Sequence, residues 1–187
     1  MANGKDILIA GQKSGVVWGL DPDNRGEVLW QTRLGKGSAL GGVEWGHAAD
    51  ERNAYVAISD RLLGKNGTPG VYALDLATGE KKWAALPPEG IPGNAAHSAA
   101  ISVMPGAVFS GSLNGHFRAY STADGQILWD FETSKKFDTI NGVEAKGGSI
   151  DAGGPTIAHG MVYTNSGYGI FGGIAGNVLL AFSVGGK

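Results

Sequence analysis

A stretch of about ten residues that occurs three times constrains this chain more than anything else in it. In the middle it reads Leu74-Asp75-Leu76-Ala77-Thr78-Gly79-Glu80-Lys81-Lys82-Trp83. Upstream it reads Leu20-Asp21-Pro22-Asp23-Asn24-Arg25-Gly26-Glu27-Val28-Leu29-Trp30, with one residue inserted in the turn. Downstream it is Tyr120-Ser121-Thr122-Ala123-Asp124-Gly125-Gln126-Ile127-Leu128-Trp129. Each time an apolar strand enters a polar turn, Gly follows, and Trp closes the unit. The tryptophans are 53 and 46 residues apart. Short strands repeating every roughly 40–50 residues predict a β-propeller. Gly ends the turn because it accepts positive φ without a Cβ clash. Trp30, Trp83 and Trp129 are expected to fill space between neighbouring sheets, since a ring of that size buries a large apolar area.

Composition agrees with many tight turns. Gly accounts for 33 of 187 residues, and only 17% are charged, which fits neither a helical protein nor a disordered one. The net charge of −2 gives no basic surface for nucleic acid. There is no cysteine, which excludes disulfides, zinc–thiolate sites and haem attachment through Cys-x-x-Cys-His. No apolar run is long enough to span a membrane, and the first residues lack the apolar core of a signal peptide.

Read in order, the chain predicts four units. The first, about 6–34, has strands at 6–10, 16–20 and 27–32 and lacks its innermost strand. The second, 41–85, has strands at 43–46, 55–59, 71–74 and 81–84, preceded by a flexible Gly-rich crossing at 35–42. A Pro/Gly-rich crossing at 86–94 leads to the third, 96–133, with strands at 98–103, 107–111, 116–120 and 126–132. After a long crossing at 133–149 comes an incomplete fourth, 148–184, with strands at 155–158, 161–165 and 178–183. The reading is an all-β partial β-propeller of four-stranded antiparallel blades, occupying residues 1–187 as one domain. A propeller removes its sheet edges by closing a ring. Three arrangements fit two incomplete blades: a piece of a larger ring, a half-ring completed by a second copy, or a small four-bladed closure. The first is preferred and predicts poor behaviour alone.

Catalytic signatures are few. Gly167-Tyr168-Gly169-Ile170-Phe171-Gly172 satisfies G-x-G-x-x-G, but a strand follows it where a dinucleotide site needs a helix. The turn from Asp21 resembles a calcium loop only faintly, because Arg25 stands where an oxygen ligand belongs and Thr32 where Glu belongs. His47, His97, His116 and His159 have no metal-ligand spacing. Neither G-x-S-x-G nor H-E-x-x-H is present. The crossings carry more. Propeller loops at one end converge on the axis, and those here hold Glu44, Trp45, His97, Ser98, Asn141, Lys146, Ser149, Asp151, Asn165 and Tyr168. Any one of them can be an ordinary turn residue; together they predict a polar axial pocket.

The turn-Gly-x-x-x-Trp unit resembles the repeat of pyrroloquinoline quinone (PQQ) quinoproteins. Longer stretches are similar to the polyvinyl-alcohol dehydrogenase type: Gly41-Gly42-Val43-Glu44-Trp45-Gly46-His47-Ala48-Ala49-Asp50, Phe109-Ser110-Gly111-Ser112-Leu113-Asn114-Gly115-His116, Asn141-Gly142-Val143-Glu144-Ala145-Lys146, and Asn165-Ser166-Gly167-Tyr168-Gly169. The resemblance implies an eight-bladed ring, PQQ near the axis, a Ca²⁺ ion, an alcohol substrate, transfer of electrons to cytochrome c, and a periplasmic location. It implies Glu44 and Asn165 as oxygen ligands of the metal and Asp151 as the base. Trp45, Lys146 and Tyr168 would then contact the cofactor. The chain alone is expected to be inactive. The alternative is a non-catalytic propeller scaffold for protein–protein interaction.

Overall fold

The computed structural model describes residues 4–88 and 95–185. The first sheet is a meander of β1 (Leu8–Gly11), β2 (Val16–Asp21) and β3 (Glu27–Arg33). The second has four strands, β4 (Ala48–Ala49), β5 (Asn53–Ile58), β6 (Gly70–Asp75) and β7 (Lys81–Ala85). So does the third, with β8 (Ser102–Met104), β9 (Ala107–Gly111), β10 (His116–Ser121) and β11 (Ile127–Glu132). A short hairpin, β12 (Lys136–Phe137) and β13 (Ala145–Lys146), precedes the three-stranded last sheet of β14 (Thr156–Ala158), β15 (Met161–Ser166) and β16 (Val178–Ser183). All pairings are antiparallel, and no sheet closes on itself among the described residues.

The two middle sheets are buried on both faces, and strand alternation divides their side chains between two cores. On β5, Ala54, Val56 and Ile58 meet Val17 and Trp30 of the first sheet, whereas Tyr55 and Ala57 meet Val108 and Tyr120 of the third. The period of two sends neighbouring residues to opposite faces. When both faces are covered, the strand reads as a continuous apolar run. A third core joins Phe117, Phe109 and Trp129 to Val162 and Phe182 of the last sheet. Strand β8 lies beside both β4 and β14, so the first strands of neighbouring sheets converge.

The repeated turn explains how one sheet docks on the next. The indole of Trp30 donates to Leu76 O (2.9 Å), and that of Trp83 donates to Thr122 O (3.1 Å). Leu76 and Thr122 occupy the same place in successive turns. A Cβ on Gly79 would lie 2.5 Å from the Trp30 ring, and one on Gly125 would lie 2.6 Å from that of Trp83. The turn Gly therefore does two jobs: it takes φ of +71° or +75°, and it leaves room for the preceding sheet's ring. Within each hairpin the partner facing Trp is small: Gly19 for Trp30, Ala73 for Trp83, Ala119 for Trp129. A β-bulge follows each of those pairs, so the hairpin is irregular at the same point in all three copies.

Several boundaries differ from the sequence reading. Residues 43–46 are not the first strand of the second sheet; that strand is β4. Val43 is instead drawn into the core at 5% exposure, and its N–H donates to Gln12 O. Likewise β8 starts at Ser102, because Ala99 and Ile101 are used as core. The 35–42 crossing, expected to be flexible, is packed. Gly37 and Gly42 take positive φ, and a Cβ on either would meet the backbone at Lys13 or Ser14 within 2.6 Å. Most of the Pro/Gly-rich crossing lies outside the described residues.

Candidate functional site

Crossings and loops from all four sheets meet at one end of the molecule and enclose a cleft of about 350 Å³. Lys13 comes from the β1–β2 turn, Glu44 and Trp45 from the crossing before β4, and Ser59 and Arg61 from the loop after β5. Ser98 and Asp151 come from the crossings before β8 and β14, and Tyr168 and Phe171 from the loop after β15.

The geometry rests on two carboxylates. Asp151 Oδ1 accepts from Ser98 Oγ (2.8 Å), Trp45 Nε1 (3.2 Å) and the Ala152 N–H (2.7 Å). Glu44 is nearly enclosed, its side chain 9% exposed, and it faces Lys13 Nζ at 3.6 Å. Burial pushes the Glu44 carboxyl above its ordinary range. The Ser59 hydroxyl and the Lys13 ammonium pull it back, while the Asp151 charge adds to the rise. Glu44 therefore resists ionisation more than a surface glutamate does.

A third carboxylate anchors the crossing that leads to the cleft. Asp60 is fully buried, and its oxygens accept from the backbone N–H groups of Lys36, Gly37, Gly42 and Thr68 at 3.0–3.2 Å. Burial alone would raise its pKa, but the backbone N–H groups outweigh it and hold the carboxyl below the ordinary value. Asp60 thus fixes the crossing that carries Glu44 and Trp45 while lying between Ser59 and Arg61. Next to Ser98 in the chain, fully buried His97 sits with Nδ1 2.8 Å from Ser110 Oγ, and its Nε2 finds no partner among the described residues. Burial, with the Arg118 charge second, pushes its pKa from 6.5 down to about 3. The unfolded chain therefore takes up this proton first, so His97 contributes stability that is complete above pH 6.5 and is lost as pH falls toward 3. Urea midpoints measured from pH 7 to 4 should fall less steeply in His97→Gln than in the unaltered protein. Equal slopes would show that His97 is not held neutral.

Four of the six site residues expected from the sequence meet here: Glu44, Trp45, Asp151 and Tyr168. The other two do not. Lys146 is exposed on β13, in a separate cleft with Lys136, Glu144 and Asn177. Asn165 is exposed on β15 opposite Leu179. Lys13, Ser59, Arg61 and Phe171 were not singled out for the site. Only the pairing of a turn cation with a buried glutamate from the next unit would have marked Lys13.

A planar, polycarboxylated quinone matches this donor set. Trp45, Tyr168 and Phe171 present ring surface, and Lys13 and Arg61 present cations. A calcium ion matches it less well. Two carboxylates line the cleft, Asn165 stands elsewhere, and no group of three His, Asp or Glu is placed to hold a metal among the described residues. Calcium sites take six to eight oxygens.

Comparison with known proteins agrees with the architecture. Residues 67–185 match the PQQ_2 family model, described as outer membrane protein assembly factor BamB. A polyvinylalcohol dehydrogenase from Pseudomonas sp. is 48% identical over 202 residues, covering 100% of this chain and 32% of that protein. The chain thus spans about a third of that curated relative's length. BamB from Moraxella catarrhalis superposes with a TM-score of 0.65 at 17% identity, covering 97% of this chain and 44% of that one. Quinohemoprotein alcohol dehydrogenase from Comamonas testosteroni gives 0.64 at 19% identity, covering 96% and 32%. At those identities the two structures speak for the fold alone. With the matched family model spanning more than half of its residues, the chain belongs to the PQQ_2 family.

Proposed function

We propose that this chain forms part of the active site of a PQQ-dependent alcohol dehydrogenase. The observation that carries this reading is the gathering of Glu44, Trp45, Asp151 and Tyr168, with Lys13 and Arg61, in one cleft. Similarity to a polyvinylalcohol dehydrogenase along the whole chain supports it. PQQ, when bound, supplies the two-electron acceptor for the hydride from the alcohol carbon. Asp151 takes the hydroxyl proton as the C–H bond breaks and the carbonyl forms. Trp45 and Tyr168 would offer ring faces to the planar cofactor, and Lys13 and Arg61 would offer cations to its carboxylates. A Ca²⁺ ion, which the family reading implies, would, among the described residues, meet only Glu44 and Asp151 as carboxylates in this cleft and would need further oxygens from elsewhere. Cytochrome c as acceptor and a periplasmic location follow from the family reading. The geometry of the cleft supports no role for Lys146 or Asn165.

In a full-length protein that carries this segment, titration with PQQ in the presence of Ca²⁺ should quench tryptophan fluorescence saturably, and a dye-linked assay should show alcohol oxidation. Asp151→Asn should keep PQQ binding and lose about 10²–10⁴-fold in turnover, the usual contribution of a positioned base. An unchanged rate would remove Asp151 from the chemistry. The match to the BamB family model favours one other reading, a scaffold that binds proteins. That reading expects no saturable PQQ response.

A further inference from the structure

Ser98 is 4% exposed and lies on the crossing before β8. A buried hydroxyl needs a partner. Here it donates to a carboxylate from another sheet's crossing, 53 residues away. The same oxygen, Asp151 Oδ1, receives the Trp45 indole from 106 residues away. No hydrogen bond from the described residues reaches Oδ2. The backbone beside it is also constrained. Ala152 takes φ of +60°, and its carbonyl accepts the Ala100 N–H at 3.0 Å. A non-glycine residue in that conformation persists where its surroundings over-determine it, which happens most often at functional sites.

We infer that Ser98 is a positioning residue for Asp151: with Trp45 it holds Oδ1 so that Oδ2 is the oxygen left to accept a proton in the cleft. This rests on the dehydrogenase reading for its purpose, but the contact itself does not. Ser98 acts through the carboxylate to which its hydroxyl donates. Its hydroxyl fixes the carboxylate rotamer, and misplacing a reacting atom by about 1 Å costs on the order of 10²-fold in rate.

The test uses two readouts. In NMR spectra the Trp45 indole N–H, assigned with Trp45→Phe, reports the orientation of Asp151. Ser98→Ala should move that resonance in the same sense as Asp151→Asn, and Ser98→Thr, which keeps the hydroxyl, should leave it near the native position. In a full-length protein carrying this segment and loaded with PQQ, Ser98→Ala should lower kcat about 10–100-fold, with KM and PQQ affinity little changed, and Ser98→Thr should recover it. An indole resonance that shifts in Asp151→Asn yet stays native in Ser98→Ala overturns the proposal. So does a kcat unaffected by Ser98→Ala. If the unaltered full-length protein carrying this segment neither binds PQQ nor oxidises alcohol, the dehydrogenase reading fails, and the catalytic purpose of the contact fails with it. That result comes from the unaltered protein, so it is distinct from a failure seen in the variant.

Discussion

Replacing Asp60 by alanine should cost about 3–5 kcal/mol, because four backbone donors lose a fully buried charged acceptor together and each unsatisfied group costs roughly 1–3 kcal/mol before water enters. The donors come from Lys36, Gly37, Gly42 and Thr68, so the loss falls on the crossing between the first two sheets and on the loop after β5. Denaturant unfolding monitored at neutral pH measures it. The pH dependence gives a second check. Asp60 has its folded pKa depressed, so its stabilisation is present above the unfolded carboxylate value of about 3.9 and disappears as pH falls through the folded value. The gap between the native protein and Asp60→Asn should therefore be widest near neutrality and narrow in acid. A gap independent of pH would mean that the charge on Asp60 contributes nothing. The same variant should disturb the cleft, since Glu44 and Trp45 follow the crossing that Asp60 anchors.

Trp83→Ala should cost a similar amount, about 3–5 kcal/mol, by opening a cavity between the second and third sheets. The ring is 8% exposed, lies 5.8 Å from that of Tyr55, and donates to Thr122 O. Gly125 has no Cβ to close the gap. Trp45→Ala is the control. Trp45 is 58% exposed, and surface changes usually stay within about 0.5 kcal/mol. Calorimetry of the two variants therefore separates a tryptophan that joins sheets from one that faces the cleft. Equal melting points for Trp83→Ala and the native protein would remove the docking role.

The sequence reading and the structure meet at the repeat and part at the crossings. Trp30, Trp83, Gly79 and Gly125 announce themselves because a device used more than once leaves a periodic trace. The four-stranded sheets follow from the same trace. The starts of β4 and β8 were misplaced because Val43 and Ile101 are apolar for packing rather than for strand formation. Alternation cannot separate those two causes in a segment of three or four residues. The β12–β13 hairpin, hidden in a long polar crossing, has only two residues in each strand.

By itself, then, the chain's order of residues determined an all-β propeller and the identity of the glycines and tryptophans that dock its sheets. Those features are encoded locally, in turns and alternation, or in repetition. Tertiary structure decided the rest. Asp60 became an anchor only when residues 23 and 24 positions before it brought their N–H groups to its carboxylate. Ser98, Trp45 and Asp151 became one cluster across separations of 53 and 106 residues. Lys146 and Asn165, equal to the others in chemistry, were carried to a hairpin and an exposed strand face. Hydrogen bonds act over about 3 Å of space. Which distant residues come that close is set by how the sheets fan around their convergent first strands, and no local pattern records it.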